Sequence, residues 1–248
     1  MDQLEKHVPN QIFIENVTEI LQRYNFTVMQ NRSAEVTVNF YKNLPKSNPG
    51  IIIFRVHSAV RNNTQLVDFF TSEPYIEGKY EEYGERLSIA WYPWELKEYF
   101  AVGPGFVEVM DGNFPRSIII AMGCGSLKYP TMAQAFINKG AKLYVGWTGN
   151  VSITDSDKIT LELLELLFIK NKTIEYAVGQ CNTIFHEYEG KLDYFPKEVG
   201  NKEVWEVILS SKSVKIHNVP SYFRNLRLIF INKEDTPTKR LHSFFHNV

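Results

Sequence analysis

A histidine and a cysteine each follow directly on a strongly apolar run of this sequence. His57 comes after "GIIIFRV", residues 50–56, and Cys124 lies in "SIIIAMGCGS", residues 117–126. A continuous apolar run of this length is typical of a strand that is buried on both faces in a parallel sheet. Because ligands and chemistry gather beyond the carboxyl ends of such strands, we predict that His57 and Cys124 form one site.

A thiol beside an imidazole can perform nucleophilic catalysis. A free cysteine has a pKa of about 8.5, so a neighbouring imidazole is needed to generate the thiolate near neutral pH. His57 would also protonate the leaving group. Gly123 and Gly125 flank Cys124, which leaves room for a substrate backbone and permits a tight turn. The Cys124 N–H is then available as an oxyanion donor.

Other chemistries fit this order of residues less well. A class I glutamine amidotransferase would have glycines where Met122 and Ser126 stand, and its histidine would follow the cysteine, as in papain-like enzymes. The segment "GCGS" is too short for a dinucleotide fingerprint. It could act as an anion nest in a small-molecule or nucleotide-binding protein, and Cys124→Ala would then leave function intact.

Cysteine is also among the most buried residue types, and Cys181 illustrates that alternative. It shares one helical face with apolar residues, so we predict that its thiol packs in the core. These residues are Ile174, Ala177, Val178, Ile184 and Phe185. Cys124 has no comparable apolar periodicity around it.

The remaining patterns predict an α/β fold in which strands alternate with helices in a wound, mostly parallel sheet. Helices are predicted at residues 12–21, at 33–45 with Ser33 as N-cap, at 130–140, from Thr154 and from Thr173. Strands are predicted at residues 26–30, 50–56, 86–94, 117–122 and 141–147, and in the tail at "VWEVILS" and "LRLIFI". We expect one domain, residues 1–248, with a core at about 12–190 and a strand-rich extension at about 200–248.

Composition argues against several classes of function. The 27 basic and 28 acidic side chains give a net charge of -1, so no overall field attracts nucleic acid or an anionic membrane. No apolar run approaches the roughly 20 residues of a membrane span, and no signal sequence is evident. The two cysteines indicate a reducing compartment, so we expect a cytoplasmic protein. The six scattered histidines lack metal-ligand spacing, and we expect neither metal nor cofactor.

The order of histidine and cysteine, each after an apolar strand, resembles that of the caspase-like (clan CD) cysteine peptidases. The segment "SIIIAMGCGSLKYPTMAQAFINKGAKLYVGWTGNVSITDSD" is most similar to the CHAT-domain and gingipain pattern. There, a cysteine strand precedes a helix ending in "GA", a strand ending in tryptophan and a loop that carries aspartate. The resemblance covers roughly residues 50–179.

The resemblance implies a caspase-like α/β/α sandwich with a mostly parallel central sheet flanked by helices. It assigns His57 as the acid–base group and Cys124 as the nucleophile, and the N–H groups of Ser58 and Cys124 as the oxyanion hole. Many relatives have glycine after the histidine, where this chain has Ser58.

The resemblance also suggests residues that bind substrate. Trp147 matches a tryptophan that borders the site, with Asp155 and Asp157 in its loop, and Gly123 and Gly125 leave space for the substrate. Together with the glutamate-rich stretch at residues 73–85, predicted to be an exposed loop, the two acids suggest a basic residue before the scissile bond. However, "TDSD" at Thr154 also has the spacing of a capping box that begins a helix.

The leading hypothesis is a cysteine endopeptidase that acts on a protein or peptide through a thioester acyl-enzyme. The main alternative is a catalytically silent caspase-like module for protein interaction. The sequence does not identify a regulatory partner.

Overall fold

The computed structural model describes residues 1–92, 95–184 and 190–209, which form two four-stranded sheets and seven α-helices. The strands are β1 (Ile51–Phe54), β2 (Ser58–Val60), β3 (Val67–Pro74), β4 (Leu87–Trp91), β5 (Glu98–Val102), β6 (Ile118–Ala121), β7 (Leu143–Trp147) and β8 (Leu192–Phe195). The helices are α1 (Gln11–Gln22), α2 (Val38–Asn43), α3 (Pro104–Glu108), α4 (Thr131–Asn138), α5 (Ile153–Leu164), α6 (Ile174–Ile184) and α7 (Val204–Leu209).

The first sheet has the strand order β1-β6-β7-β8 and is mostly parallel, as predicted. β6 pairs in parallel with both β1 and β7, and β8 runs antiparallel to β7. Strands β1 and β6 are buried at every position. Their continuous apolar sequences therefore follow from burial on both faces of the sheet.

Helices cover both faces of this sheet, so the chain is a mixed α/β protein. Ile51 and Ile53 of β1 belong to a core shared with α1, α5, α6 and α7, whereas Ile52 and Phe54 belong to a core shared with α2, α3 and α4. Successive residues of a strand point to opposite faces, which explains the division. Cys181 lies in the first of these cores with no exposed surface, which confirms its predicted burial.

The second sheet is antiparallel and has the strand order β2-β3-β5-β4. In the sequence, its strands lie between β1 and β6. The sequence patterns predict only β4 of these strands. The exposed loop predicted at residues 73–85 is wrong at its start, because Glu73 belongs to β3 and is only 9% exposed. Its carboxylate accepts a hydrogen bond from the Val38 N–H (2.9 Å) at the start of α2. Further on, residues 76–79 and 81–82 are exposed, as expected.

Other local predictions are corrected by contacts that the patterns do not reveal. Residues 26–30 form no strand, and the ring of Phe26 instead stacks on Trp205 at 6.2 Å. α2 begins at Val38 rather than after Ser33, because the Thr37 hydroxyl accepts the capping hydrogen bond from the Phe40 N–H (3.1 Å).

The tail run "VWEVILS" is also corrected. Residues 204–209 form α7 rather than a strand, and Val204, Trp205, Val207 and Ile208 bury one helical face. The other tail run, "LRLIFI", lies outside the described residues. None of the helices in residues 1–92, 95–184 and 190–209 combines the length and apolar character that a membrane crossing requires.

A buried ion cluster at the end of β1 connects distant parts of the chain. The Arg55 side chain is 1% exposed and donates two hydrogen bonds to Asp157 of α5, at 2.8 and 2.9 Å. It also binds Asp2 at 2.8 Å and the Val8 carbonyl at 2.9 Å. Asn10, the N-cap of α1, donates to the same Asp157 carboxylate at 2.8 Å. The cluster therefore joins β1, α1, α5 and the first residues of the chain.

Asp157→Asn is expected to lower the free energy of unfolding by about 3–5 kcal/mol, because it leaves the Arg55 charge buried without its bidentate partner. Urea denaturation measures this loss. Glu162→Gln is the matched control, because it breaks a solvent-exposed pair with Lys170 (3.2 Å), and such pairs contribute about 0–1 kcal/mol. Equal losses in the two variants would contradict the role of the cluster.

Candidate functional site

The pairing of β1 with β6 places His57 and Cys124 at equivalent positions beyond two neighbouring strands. Phe54 and Ala121 are the last register partners, and His57 and Cys124 each lie three residues further on. The Met122 N–H extends the pairing by donating to the Phe54 carbonyl (2.9 Å). The structure therefore brings the two predicted residues to the same edge of the sheet.

Direct contacts join the segment after His57 to the segment around Cys124. The Ser58 hydroxyl donates to the Cys124 carbonyl at 2.8 Å. At Gly123, an added Cβ would lie 2.3 Å from the Ser58 Oγ and 2.5 Å from the Val56 carbonyl oxygen. Any side chain at position 123 would therefore push the two segments apart, which gives this glycine a structural reason independent of substrate.

The turn at Cys124 depends on the second glycine. Gly125 has φ +60°, a left-handed conformation that favours glycine, so the predicted tight turn is confirmed. The Gly125 N–H donates to the Gly149 carbonyl (2.8 Å), and the Ser126 N–H donates to the Gly123 carbonyl (3.2 Å). Because these two N–H groups already have backbone acceptors, the "GCGS" segment does not form an open anion nest.

The Cys124 thiol lies against the loop that follows β7. Its sulfur donates to the Val151 carbonyl at 3.2 Å and accepts from the Val151 N–H at 3.4 Å. Cys124 is partly exposed and free of any disulfide. A free, partly exposed thiol at this edge can act as a nucleophile once it is deprotonated.

His57 is fixed through its backbone and packed among aromatic rings. Its N–H donates to the Gln3 side-chain oxygen at 3.2 Å, and its carbonyl accepts from the Phe70 N–H at 2.9 Å. The imidazole lies 4.9 Å from the ring of Tyr92 and 6.0 Å from that of Phe70, measured between ring centroids. The Gln3 amide also donates to the Tyr92 hydroxyl. Gln3 therefore connects the His57 backbone with the ring that packs against its imidazole.

This environment keeps the imidazole neutral. Burial, with smaller contributions from the nearby His7 and Arg55, lowers the pKa of His57 from 6.5 to about 4. Both named neighbours oppose a positive charge on the ring, and burial removes the water that would stabilise it. At neutral pH, His57 therefore has an unprotonated nitrogen that can accept a proton.

Trp147 is buried at the end of β7, and hydrogen bonds connect it with the segment around Cys124. It is 2% exposed, and its indole N–H donates to the Ser156 hydroxyl at 3.1 Å. Ser156 in turn donates to the Met122 carbonyl at 2.9 Å. The Trp147 backbone N–H donates to the Ser126 hydroxyl at 2.9 Å. These contacts hold the segment around Cys124 in place, whereas contact of Trp147 with substrate stays a prediction.

Asp155 and Asp157 lie in α5 rather than in the loop predicted after Trp147, and they occupy different environments. Asp155 is partly exposed in the first turn of α5, where its carboxylate accepts from the Ser152 hydroxyl. Ser152, rather than Thr154, is the N-cap, because its hydroxyl accepts from the Asp155 N–H (3.1 Å). Asp157 is 3% exposed and engaged by Arg55. These contacts account for Asp157 structurally, and its binding of substrate stays a prediction.

Sequence reasoning missed several residues that shape the site. Arg55 interrupts the apolar run of residues 50–56, directly after β1, and a charge in such a run was a usable signal of a buried ion pair. Ser126 and Ser156 lie in the segments "GCGS" and "TDSD", where the predictions concerned the neighbouring cysteine and aspartates. Gln3 and Tyr92 gave no signal, because they reach His57 from positions far away in the sequence.

The chain matches no protein-family model, and a comparison with curated proteins gives no match. Within residues 1–92, 95–184 and 190–209, no group of three or more His, Cys, Asp or Glu side chains is arranged to hold a metal ion.

Acidification is expected to destabilise the protein through His57. The unfolded chain takes up this proton near pH 6.5, whereas the folded protein does so only near pH 4, so the free energy of unfolding falls as pH is lowered between those values. At about 1.4 kcal/mol per pH unit, the loss approaches about 3 kcal/mol. Urea denaturation of wild type and His57→Asn across this range measures it. Parallel pH dependences of the two proteins would refute the assignment to His57.

Proposed function

We propose that this chain is a caspase-like cysteine endopeptidase in which His57 and Cys124 form the catalytic dyad. The observation that carries the proposal is the placement of these residues three positions beyond register partners of the paired strands β1 and β6. A mostly parallel sheet with helices on both faces agrees with the α/β/α sandwich of that family. The substrate is a protein or peptide, and the thiol chemistry suits a reducing, cytoplasmic setting.

The reaction begins when His57 accepts the thiol proton and Cys124 attacks the scissile carbonyl. The N–H groups of Ser58 and Cys124 stabilise the oxyanion. His57 then returns the proton to the leaving amine, and a thioester to Cys124 remains. Water, deprotonated by His57, hydrolyses this thioester and regenerates the thiol. The first step requires a neutral imidazole, and His57, with a pKa lowered to about 4 by burial, is neutral but a weak base in the resting site.

We infer that Asp155 recognises a basic residue before the scissile bond. Val151 contacts the Cys124 sulfur, and the partly exposed Asp155 follows four positions later, with a carboxylate that accepts a hydrogen bond from the uncharged Ser152 hydroxyl. Asp157 is less suited to this role because Arg55 already neutralises it. Glu73, from the glutamate-rich stretch, is likewise engaged by the Val38 N–H and by Lys79.

The alternative is a catalytically silent interaction module, and two observations favour it. The Cys124 sulfur makes two hydrogen bonds to Val151, and the His57 imidazole packs among Tyr92 and Phe70. If this packed arrangement never rearranges, thiol and imidazole do not act together.

Iodoacetamide labelling followed by mass spectrometry separates the two functions. In an active dyad, Cys124 is alkylated readily at neutral pH, and His57→Ala slows the reaction by about tenfold or more, because the thiol loses its base. Cys181 is the internal control. Burial and the nearby Glu162 raise the pKa of Cys181 to about 12, so this thiol stays unlabelled in the native protein. Equal inertness of both cysteines in both proteins would favour the silent module.

Asp155→Asn is expected to reduce reaction with basic substrates selectively. Peptidyl chloromethyl ketones with Arg, Leu or Asp before the reactive group measure the preference through the rate at which Cys124 is alkylated. Loss of the carboxylate lowers the rate for the Arg compound by about tenfold, and leaves the Leu compound unchanged. Asp111→Asn, which changes a carboxylate paired with Lys46 (2.8 Å) elsewhere on the protein, is the control. A wild-type preference for Asp or Leu would refute the assignment.

A further inference from the structure

A cavity of ≈ 350 Å³ adjoins the histidine side of the candidate site. Strands β2, β3 and β4 and the β2–β3 connection line it, and the lining residues include Ala59, Arg61, Asp68, Phe70, Ile89 and Trp91. Its volume is within the range of cavities that bind small organic ligands. Ala59 lies two positions after His57, and the ring of Phe70 lies 6.0 Å from the His57 imidazole. The cavity therefore borders the residues that pack against His57.

The walls of this cavity suit an uncharged, apolar side chain. Trp91 is 60% exposed and Ile89 is 42% exposed, so two large apolar residues face solvent beside Phe70. The charged members of the lining neutralise each other, because Arg61 donates two hydrogen bonds to Asp68 at 2.8 and 2.9 Å. A charged side chain that entered here would lose water and find no free counter-charge.

The order of the strands tells which part of a substrate passes the cavity. In the order β1-β6-β7, Cys124 lies between His57 on the β1 side and Val151 on the β7 side. A dyad histidine protonates the leaving amine, so the chain that follows the scissile bond departs past His57. The acyl part then lies toward Val151 and Asp155. The cavity beyond His57 is consequently on the side of the leaving group.

We propose that this cavity binds a large apolar side chain, Leu or an aromatic residue, from the segment of a peptide substrate that follows the scissile bond. The inference rests on the proposed peptidase function and adds a second determinant of substrate choice. Trp91 and Ile89 form its specificity-determining wall. The basic residue before the scissile bond and the apolar residue after it would then be read on opposite sides of Cys124.

Cleavage of matched substrates tests this assignment in the full chain. Two peptides share the same sequence before the scissile bond and carry either Phe or Gly in the first positions after it. A third substrate has an aminocoumarin in place of the residues after the bond. Wild type is expected to cleave the Phe peptide about tenfold or more faster than the Gly peptide, in kcat/KM. Trp91→Ala removes a wall of the cavity, and Ala59→Phe fills it. Each variant should bring the ratio of the two rates close to one. Hydrolysis of the coumarin substrate, which has no residue after the bond, is measured for each variant as the reference for this ratio.

Ile12→Ala is the matched control, because Ile12 is 71% exposed on α1 and does not line the cavity. Equal cleavage of the Phe and Gly peptides by wild type would overturn the proposal while leaving the peptidase function intact. If wild type cleaves none of the three substrates, calorimetric titration of Cys124→Ala with the same two peptides decides. A roughly tenfold tighter Phe peptide that loses its advantage in Cys124→Ala/Trp91→Ala supports the cavity, and equal binding overturns it.

Discussion

The parallel pairing of β1 with β6 is the interaction on which the candidate site depends. Four register pairs, from Ile51↔Ile118 to Phe54↔Ala121, align the two strands, and the segments beyond them inherit that alignment. A shift by one residue would move every side chain to the opposite face. It would also separate Gly123 from Ser58, whose close approach leaves no room for a Cβ.

A second constraint is the buried charge of Arg55, two positions before His57. Removing a guanidinium from water is costly unless every donor finds an acceptor. Asp157, Asp2 and the Val8 carbonyl supply those acceptors. The end of β1 is thereby fixed to the beginning of α5, which follows the Val151 loop that contacts the Cys124 sulfur. The same positive charge contributes to the low pKa of His57, so one residue influences both the geometry and the protonation of the site.

The resting site combines a neutral imidazole with a thiol held by backbone groups. In the proposed reaction, substrate binding would replace the Val151 contacts of Cys124 with contacts to the scissile carbonyl. The surroundings of the two residues differ, since Asp155 offers a carboxylate on one side and the Trp91 cavity an apolar wall on the other. Under the proposed peptidase function, this asymmetry is the physical basis for selecting a substrate on both sides of the scissile bond.

The sequence by itself determined the buried strands, most helices, the position of His57 and Cys124 at strand ends, and the burial of Cys181. These features follow from local apolar periodicity, which a short window of residues contains. Strands β2, β3, β5 and β8, helices α3 and α7 and the start of α2 escaped prediction, because side-chain caps and partners from other segments override local preference. Tertiary structure alone decided that Asp157 pairs with Arg55, 102 residues away in the sequence. It likewise decided that His57 is neutral and adjoins an apolar cavity, because burial and electrostatic environment are sums over neighbours that the order of residues does not specify.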